Sequence, residues 1–286
     1  MDMSTNSVTL VVQAPALAPA TLAALARQAD TRAIIPCGSG KPAAYRMAVA
    51  TSESRLLDAA RAASCDAGFV PARQRLDRVR VVAMDMDSTL ITIECIDEIA
   101  DLHGIKPEVA AITASAMRGE IEFAESLRRR VQLLAGLPVA ALERVYDERL
   151  RITPGAEAML AGFRAVGAKT LLVSGGFTFF TERLKARLGL DHAVANTLQV
   201  EHGLLTGKIE GAIVDAQTKA DTIAAWKSRH AGADGLTVTL GDGANDLPMF
   251  RQADISIAYR AKPVVRAAAT YAIDHCGLDA ALNFFR

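Results

Sequence analysis

The sequence predicts an α/β protein in three parts: a small N-terminal α+β domain, then a doubly wound parallel sheet with a helical cap inserted into it. Three observations carry this prediction. From Val79 onward, short β-branched runs alternate with amphipathic stretches, the rhythm of strands crossed over by helices. That rhythm breaks once, at about residues 94–151, where four helical patterns follow one another with no strand between them. Ahead of Val79, a short stretch reads strand, helix, strand, helix. The boundaries expected are 1–76 for the small domain and 77–286 for the remainder.

Taken in order, Val8 to Val12 alternates as a strand should, and Ala20 to Gln28 places Leu22, Leu25 and Ala26 at helical spacing. A second strand is expected at Tyr45–Ala50 and a second helix at Ser54–Ala63. Cys37-Gly-Ser-Gly-Lys41 lacks the full GxxxxGK[ST] spacing, and Pro42 stands where Ser or Thr should be, so it reads as a turn. Pro71 to Arg80 is charged and aperiodic, as expected of a linker.

The run Val81–Met84 is a buried strand that stops at Asp85-Met86-Asp87. Helices follow from Glu94 to Leu102, Glu108 to Arg118, Phe123 to Leu134 and Val139 to Arg149, punctuated by Gly104, Pro107, Gly119 and Gly136-Leu-Pro138. Then come a helix at Gly155–Val166, a strand at Lys169–Val173 ending in Ser174-Gly175-Gly176, and a helix at Thr178–Leu188. A hairpin turns at His202-Gly203, and Lys219–Arg229 is helical. Thr237–Leu240 is a strand ending in GDGAND, and short strands follow at Ile255–Ala258 and Tyr271–Ile273.

Composition narrows the function. Half the residues are hydrophobic, and 32 basic side chains balance 32 acidic ones, so no bulk charge argues for nucleic acid. No apolar run is long enough to span a membrane, and MDMSTNSVTL lacks a basic start followed by an apolar stretch, so neither membrane nor export is expected. Cys37, Cys65, Cys95 and Cys276 have no CxxC spacing, and the five histidines form no HxxxH or HExxH pattern. Reduced thiols in a cytoplasmic protein are the expectation.

Chemistry is concentrated at strand ends. Asp85 with Asp87, Ser174 with Gly175, and Asp242 with Asn245 and Asp246 each follow a predicted strand. In a parallel sheet those ends share one edge, where such sheets bind ligands. Two carboxylates at the end of a buried strand are costly unless something pairs with them. GDGAND has two of the three glycines of a dinucleotide loop, but Asp246 in the third place would repel a pyrophosphate. Acids so grouped would instead hold a hard cation such as Mg²⁺. Taken singly, each of these residues has an ordinary alternative: a turn or helix cap for the Asp pair and Ser174, a solvated side chain for Lys219 and Arg130.

The ordered set DMDST, SGG, Lys219 and GDGAND resembles the haloacid dehalogenase-like phosphohydrolases. Within them, DMDSTLITIECIDEIA, FAESLRRRV, SGGFT and GDGANDLPM are similar to the phosphoserine phosphatase family, over roughly Val79 to the C-terminus. The resemblance implies a Mg²⁺-dependent hydrolysis of O-phospho-L-serine, the last step of serine biosynthesis. It makes Asp85 the nucleophile and Asp87 the acid and base. It gives the metal to Asp85, Asp87 (through its carbonyl) and Asp242, with Asp246 supporting that site. It places Lys219, Ser174 and Gly175 around the phosphate, with Asn245 helping to hold Lys219 or the phosphate, Glu94 on the ammonium and Arg130 on the carboxylate. Met117 and Phe123 become apolar lid positions. Some members of that family carry an ACT-like module ahead of the catalytic domain, and the strand-helix order of residues 1–76 is compatible with one; the N-terminal unit would bind an amino acid, mediate a homodimer, or do neither. Two other readings stay open: a phosphotransferase passing the phosphoryl group to an alcohol, and an amino-acid-binding protein whose core has lost activity.

Overall fold

The structure, a computed structural model, describes residues 8–38 and 43–286. Most of the Cys37–Lys41 turn and the first seven residues of the N-terminal stretch lie outside the described residues. The chain begins with β1 (Val8–Ala14), α1 (Pro19–Gln28), β2 (Ile34–Cys37), β3 (Ala43–Val49), α2 (Ser54–Ala62) and β4 (Asp66–Pro71). The four strands form an antiparallel sheet in the order β2-β3-β1-β4. Leu10, Val12 and Met47 on one face pack with Leu25 and Leu56 of the two helices. Strands β2 and β4 go beyond the sequence expectation, and both break the strand pattern for a physical reason. β2 is an edge strand carrying Pro36, and an edge tolerates proline. β4 contains Asp66 and Gly68, two residues that serve the contact with the larger sheet.

A second sheet follows. β5 (Val79–Met84) leads into the cap, built from α3 (Cys95–Leu102), α4 (Lys106–Met117), α5 (Phe123–Gln132) and α6 (Ala140–Arg144). The chain then runs α7 (Ala156–Ala165), β6 (Lys169–Phe177), α8 (Thr178–Leu188), β7 (His192–Glu201), β8 (Leu204–Glu210), α9 (Ala216–His230), β9 (Leu236–Gly241), α10 (Leu247–Phe250), β10 (Ile255–Tyr259), α11 (Pro263–Ala268) and β11 (Tyr271–Ile273). The seven strands are ordered β11-β10-β9-β5-β6-β7-β8, parallel except for the β7–β8 hairpin. Both faces are covered, which is why β5 reads as a continuous apolar run. Val82 and Met84 join the core formed with Met159, Phe163 and Phe180, while Ala83 joins the one formed with Ile223, Met249 and Val265. Strand β5 lies between β9 and β6, so the three strands that end in the candidate residues are immediate neighbours. The four cysteines are unpaired, and no helix among the described residues is long and apolar enough to cross a membrane.

The two sheets are fastened by buried polar groups. Asp66, 3% exposed, accepts from the main-chain N–H groups of Asp274 (2.8 Å), His275 (3.2 Å) and Cys276 (2.9 Å). Gln13 donates to the Ala280 carbonyl and accepts from Asn283. Tyr271 stacks on Phe284 at 4.2 Å between ring centroids, and its ring occupies the space where a Cβ on Gly68 would lie.

The cap is attached at two places. Its stalk is cross-bridged where the chain leaves and returns: Thr92 N–H donates to Arg151 O and Thr153 N–H to Leu90 O, each at 3.0 Å. Beyond α5, the β7–β8 hairpin meets it through Gly136 N–H to Leu205 O (2.8 Å), Leu205 N–H to Leu137 O (2.8 Å) and Val139 N–H to Gly203 O (3.0 Å).

Candidate active site

Strand β5 delivers Asp85 to the edge of the sheet, with its N–H bonded to Leu240 of β9. Its carboxylate is fixed from three sides: Oδ1 accepts from Met86 N–H (2.7 Å), and Oδ2 faces Lys219 Nζ (2.7 Å) and Asn245 Nδ2 (3.3 Å). Lys219 comes from the first turns of α9, which Asp215 caps by accepting from Thr218 N–H. The lysine is 1% exposed and also pairs with Asp246 at 2.9 Å. Burial acts to lower its pKa, but Asp246 and Asp85 outweigh burial and hold it above the ordinary lysine value, so it stays charged.

Asp246 completes the loop after β9. Its Oδ2 accepts from the N–H groups of Asp242 and Gly243, both at 3.1 Å, and its carboxylate fills the space a Cβ on Gly241 would need. Glycine at 241 is therefore required by close approach. Asp242 accepts from the Thr89 hydroxyl at 2.9 Å. Burial and then Asp85 push Asp242 up to about 6. Asp85, Asp242 and Asp246 each bring one carboxylate oxygen within 4.8 Å of the others. An all-oxygen donor set of this kind suits a hard divalent cation, and the repulsion from Asp85 that adds to the effect of burial on Asp242 is what such an ion would relieve. The carboxylate of Asp87 is not in this group; it turns toward the start of the cap.

Asp87 Oδ1 accepts from Cys95 N–H at 3.0 Å. Burial, then Glu94 and Asp85, push its carboxyl up to about 8, so it carries a proton at neutral pH. Gly176 lies against it: a Cβ there would come 2.8 Å from Asp87 Oδ2. Ser174 lies within β6, which runs on past the expected end at Val173 to Phe177 through a break in its pairing with β7; it is buried and accepts from Gly176 N–H at 2.9 Å, and Gly175 lies under the tip of the Phe123 ring.

From the cap, Glu94 accepts from the Ser88 hydroxyl at 2.6 Å. Burial raises its pKa, the Ser88 bond opposes that rise, and Asp242, Asp85 and Asp97 add to it. Arg130 on α5 is half-buried, and its Nε donates to Ser126 O at 3.4 Å. Burial lowers its pKa against the pull of Asp97, Glu94 and Asp87, which places the guanidinium within the field of those acids. Arg128 and Arg129 beside it are exposed, and Arg129 pairs with Glu125 along the helix. Met117, 68% exposed at the end of α4, is not packed into this cluster.

Sequence reasoning did not single out Ser88, Thr89, Gly176 and Asn196. The first three had a signal, since each lies inside a quoted motif. Asn196 had none: it is a strand residue whose partners are set only by the fold.

A pair of fixed carboxylates beside a buried lysine, at the carboxyl edge of a parallel sheet under a helical cap, defines a hydrolase class. The model of the haloacid dehalogenase-like hydrolase family matches residues 82–251, and the chain belongs to that family. Within it, the chain is similar to the phosphoserine phosphatase of Albidiferax ferrireducens, 47% identical over 77% of this chain and 94% of that protein. Among solved structures, a probable phosphoserine phosphatase from Vibrio cholerae superposes with a TM-score of 0.82 and 36% identity, over 96% of this chain and 85% of that one. A substrate-bound phosphoserine phosphatase matches with a TM-score of 0.66 and 37% identity, over 73% of this chain and 99% of that one.

Proposed function

We propose that this protein hydrolyses O-phospho-L-serine to L-serine and inorganic phosphate. The observation that carries the chemistry is Asp85, held by Lys219 and Asn245, with a protonated Asp87 two residues on. The relatives named phosphoserine phosphatase support the choice of ester.

In the proposed reaction Lys219, the Ser174 hydroxyl and the Gly175 N–H bind the phosphoryl oxygens. A carboxylate oxygen of Asp85 attacks phosphorus, forming an acyl phosphate as the bond to the seryl oxygen breaks. Asp87 gives its proton to that oxygen, and serine leaves. The Asp87 carboxylate then takes a proton from water, which attacks the acyl phosphate, releases phosphate and restores both aspartates. A divalent cation, Mg²⁺ in this reading, would be held by Asp85, Asp242 and the main-chain oxygen of Asp87, supported by Asp246; when bound it neutralises charge on the phosphoryl oxygens. The cap supplies selectivity. Glu94 faces the substrate ammonium, and Arg130 offers a fork to its carboxylate. Phe123 over Gly175 shields the reacting group from water, and Met117 forms the outer rim of that cover.

The test is phosphate release from L-phosphoserine with Mg²⁺, beside phosphothreonine and p-nitrophenyl phosphate. Strong preference for phosphoserine is expected. Turnover of p-nitrophenyl phosphate alone would keep the aspartate chemistry and discard the amino-acid substrate.

A further inference from the structure

We infer that Asn196 is a positioning residue that sets the spacing between two parts of the phosphate site, the Gly175 loop and the helix bearing Lys219. The inference rests on the phosphatase reading above and assigns a role to a side chain which that reading does not use.

The argument begins with an irregularity in the sheet. β6 and β7 are paired as far as Val173 with Val194, and pairing resumes at Phe177 with Asn196. Ser174, Gly175 and Gly176 therefore face only Ala195, and the strand bulges. A bulge detaches main-chain groups from the ladder, and buried ones need new partners. Asn196, 1% exposed, supplies one: its Nδ2 donates to the Gly175 carbonyl at 2.8 Å. Gly176 N–H, on the other side of the same peptide, donates to Ser174 Oγ. That peptide plane is held at both ends, which restrains the loop directly after the residue whose N–H faces the phosphate site.

The second half of the Asn196 amide reaches elsewhere. Its Oδ1 accepts from Val214 N–H at 2.8 Å. Val214 directly precedes Asp215, the N-cap of α9, and Lys219 N–H bonds back to Asp215 O in the same turn. One buried amide thus spans the loop that presents the Gly175 N–H and the start of the helix that presents the Lys219 ammonium. A donor and an acceptor are both needed, so neither Asp nor Leu can replace it. Electrostatic catalysis depends on donors being fixed where charge develops, and this bridge fixes two of them relative to each other.

The experiment compares wild type with Asn196→Asp and Asn196→Ser. The first keeps the shape but turns a carboxylate oxygen toward the Gly175 carbonyl; the second is too short to span both partners. Activity per folded molecule is measured on phosphoserine and p-nitrophenyl phosphate, with orthovanadate inhibition as a probe of the five-coordinate phosphoryl geometry. A 10- to 100-fold fall in kcat is expected on both esters, on the order of what sub-ångström to 1 Å misplacement produces. Vanadate affinity should fall in parallel, with a much smaller rise in KM for phosphoserine. A purely structural role would lower the folded fraction and leave kcat and vanadate affinity per folded molecule at wild-type values; that result in either variant overturns the inference. Wild-type protein inactive on both esters would remove the phosphatase reading and this inference with it.

Discussion

Removing the Asp66 carboxylate is expected to be among the most damaging single changes available far from the chemistry. Asp66→Ala leaves three main-chain N–H groups, those of Asp274, His275 and Cys276, without their acceptor. An orphaned buried donor costs about 1–3 kcal/mol. Cys276 is fully buried, so its N–H bears the full cost, whereas Asp274 and His275 are half-buried and water can replace part of what they lose. The sum is about 3–5 kcal/mol, a large share of the roughly 5–15 kcal/mol that holds a native protein together. Asp66→Asn keeps one acceptor oxygen but turns an amide N–H toward one of the donors, so about half that loss is expected. Urea unfolding should be followed in parallel by far-UV circular dichroism and by fluorescence of Trp226, the single tryptophan, which sits in α9 against the larger sheet. In the wild type the two signals should coincide; in Asp66→Ala the midpoint should drop and the circular dichroism change should begin first, as the N-terminal sheet lets go. A loss below about 1 kcal/mol would refute the reasoning, because it would mean that water satisfies all three donors as well as the carboxylate does.

Other outcomes follow from the site. Asp85→Asn should leave the fold intact and cut turnover by at least about 10³-fold, the scale seen when a catalytic nucleophile is lost; appreciable residual activity would exclude Asp85 as nucleophile. Arg130→Ala should reduce kcat/KM for phosphoserine by about 10- to 100-fold, as expected for losing a charge-assisted hydrogen bond, and leave p-nitrophenyl phosphate nearly unaffected; equal losses on both would refute the carboxylate role. EDTA should silence the enzyme and Mg²⁺ restore it, whereas turnover indifferent to chelation would remove the metal from the mechanism. Asp191 gives a pH-dependent prediction of stability. Burial pushes its pKa up, but Lys169 at 2.7 Å and the N–H and hydroxyl of Thr170 bring it below the ordinary value. A depressed folded-state pKa stabilises above the unfolded value and loses that contribution as pH falls through the folded one. Asp191→Asn should therefore flatten the acid limb of the wild-type stability profile below about pH 4; an unchanged limb would show that Asp191 contributes nothing there.

What was legible in the sequence was whatever announces itself locally. Val81–Met84 stopping at Asp85 and Thr237–Leu240 stopping at Gly241-Asp242 each mark a buried strand that ends in polar residues, and Lys169–Val173 marks the regular part of a strand that the structure carries on through Ser174 to Phe177. The strand-helix rhythm then suffices to put those ends on one edge of a parallel sheet, and the order β9-β5-β6 makes them neighbours. The four cap helices were legible from their glycine and proline breaks. Illegible features depend on partners distant in sequence. Asp66 meets Cys276 across 210 positions, and Gly68 is a glycine because Tyr271 lies over it. Those two residues also spoil the alternation of β4, so the contact that fastens the sheets together hid the strand that makes it. Asn196 looks like any strand residue until the bulge opposite it is known.

The double attachment of the cap has a consequence for how new specificity can be built on this scaffold. The cross-bridged stalk and the three main-chain bonds to the β7–β8 hairpin tie the cap to the larger sheet at two separate points. One segment that neither anchor touches is the turn between α4 and α5, where Gly119 takes a left-handed φ of +74° and Met117 is exposed. Resizing that turn would reposition Phe123, which lies over Gly175, while leaving both anchors of the cap in place. That makes the turn a place to insert diversity in a directed library.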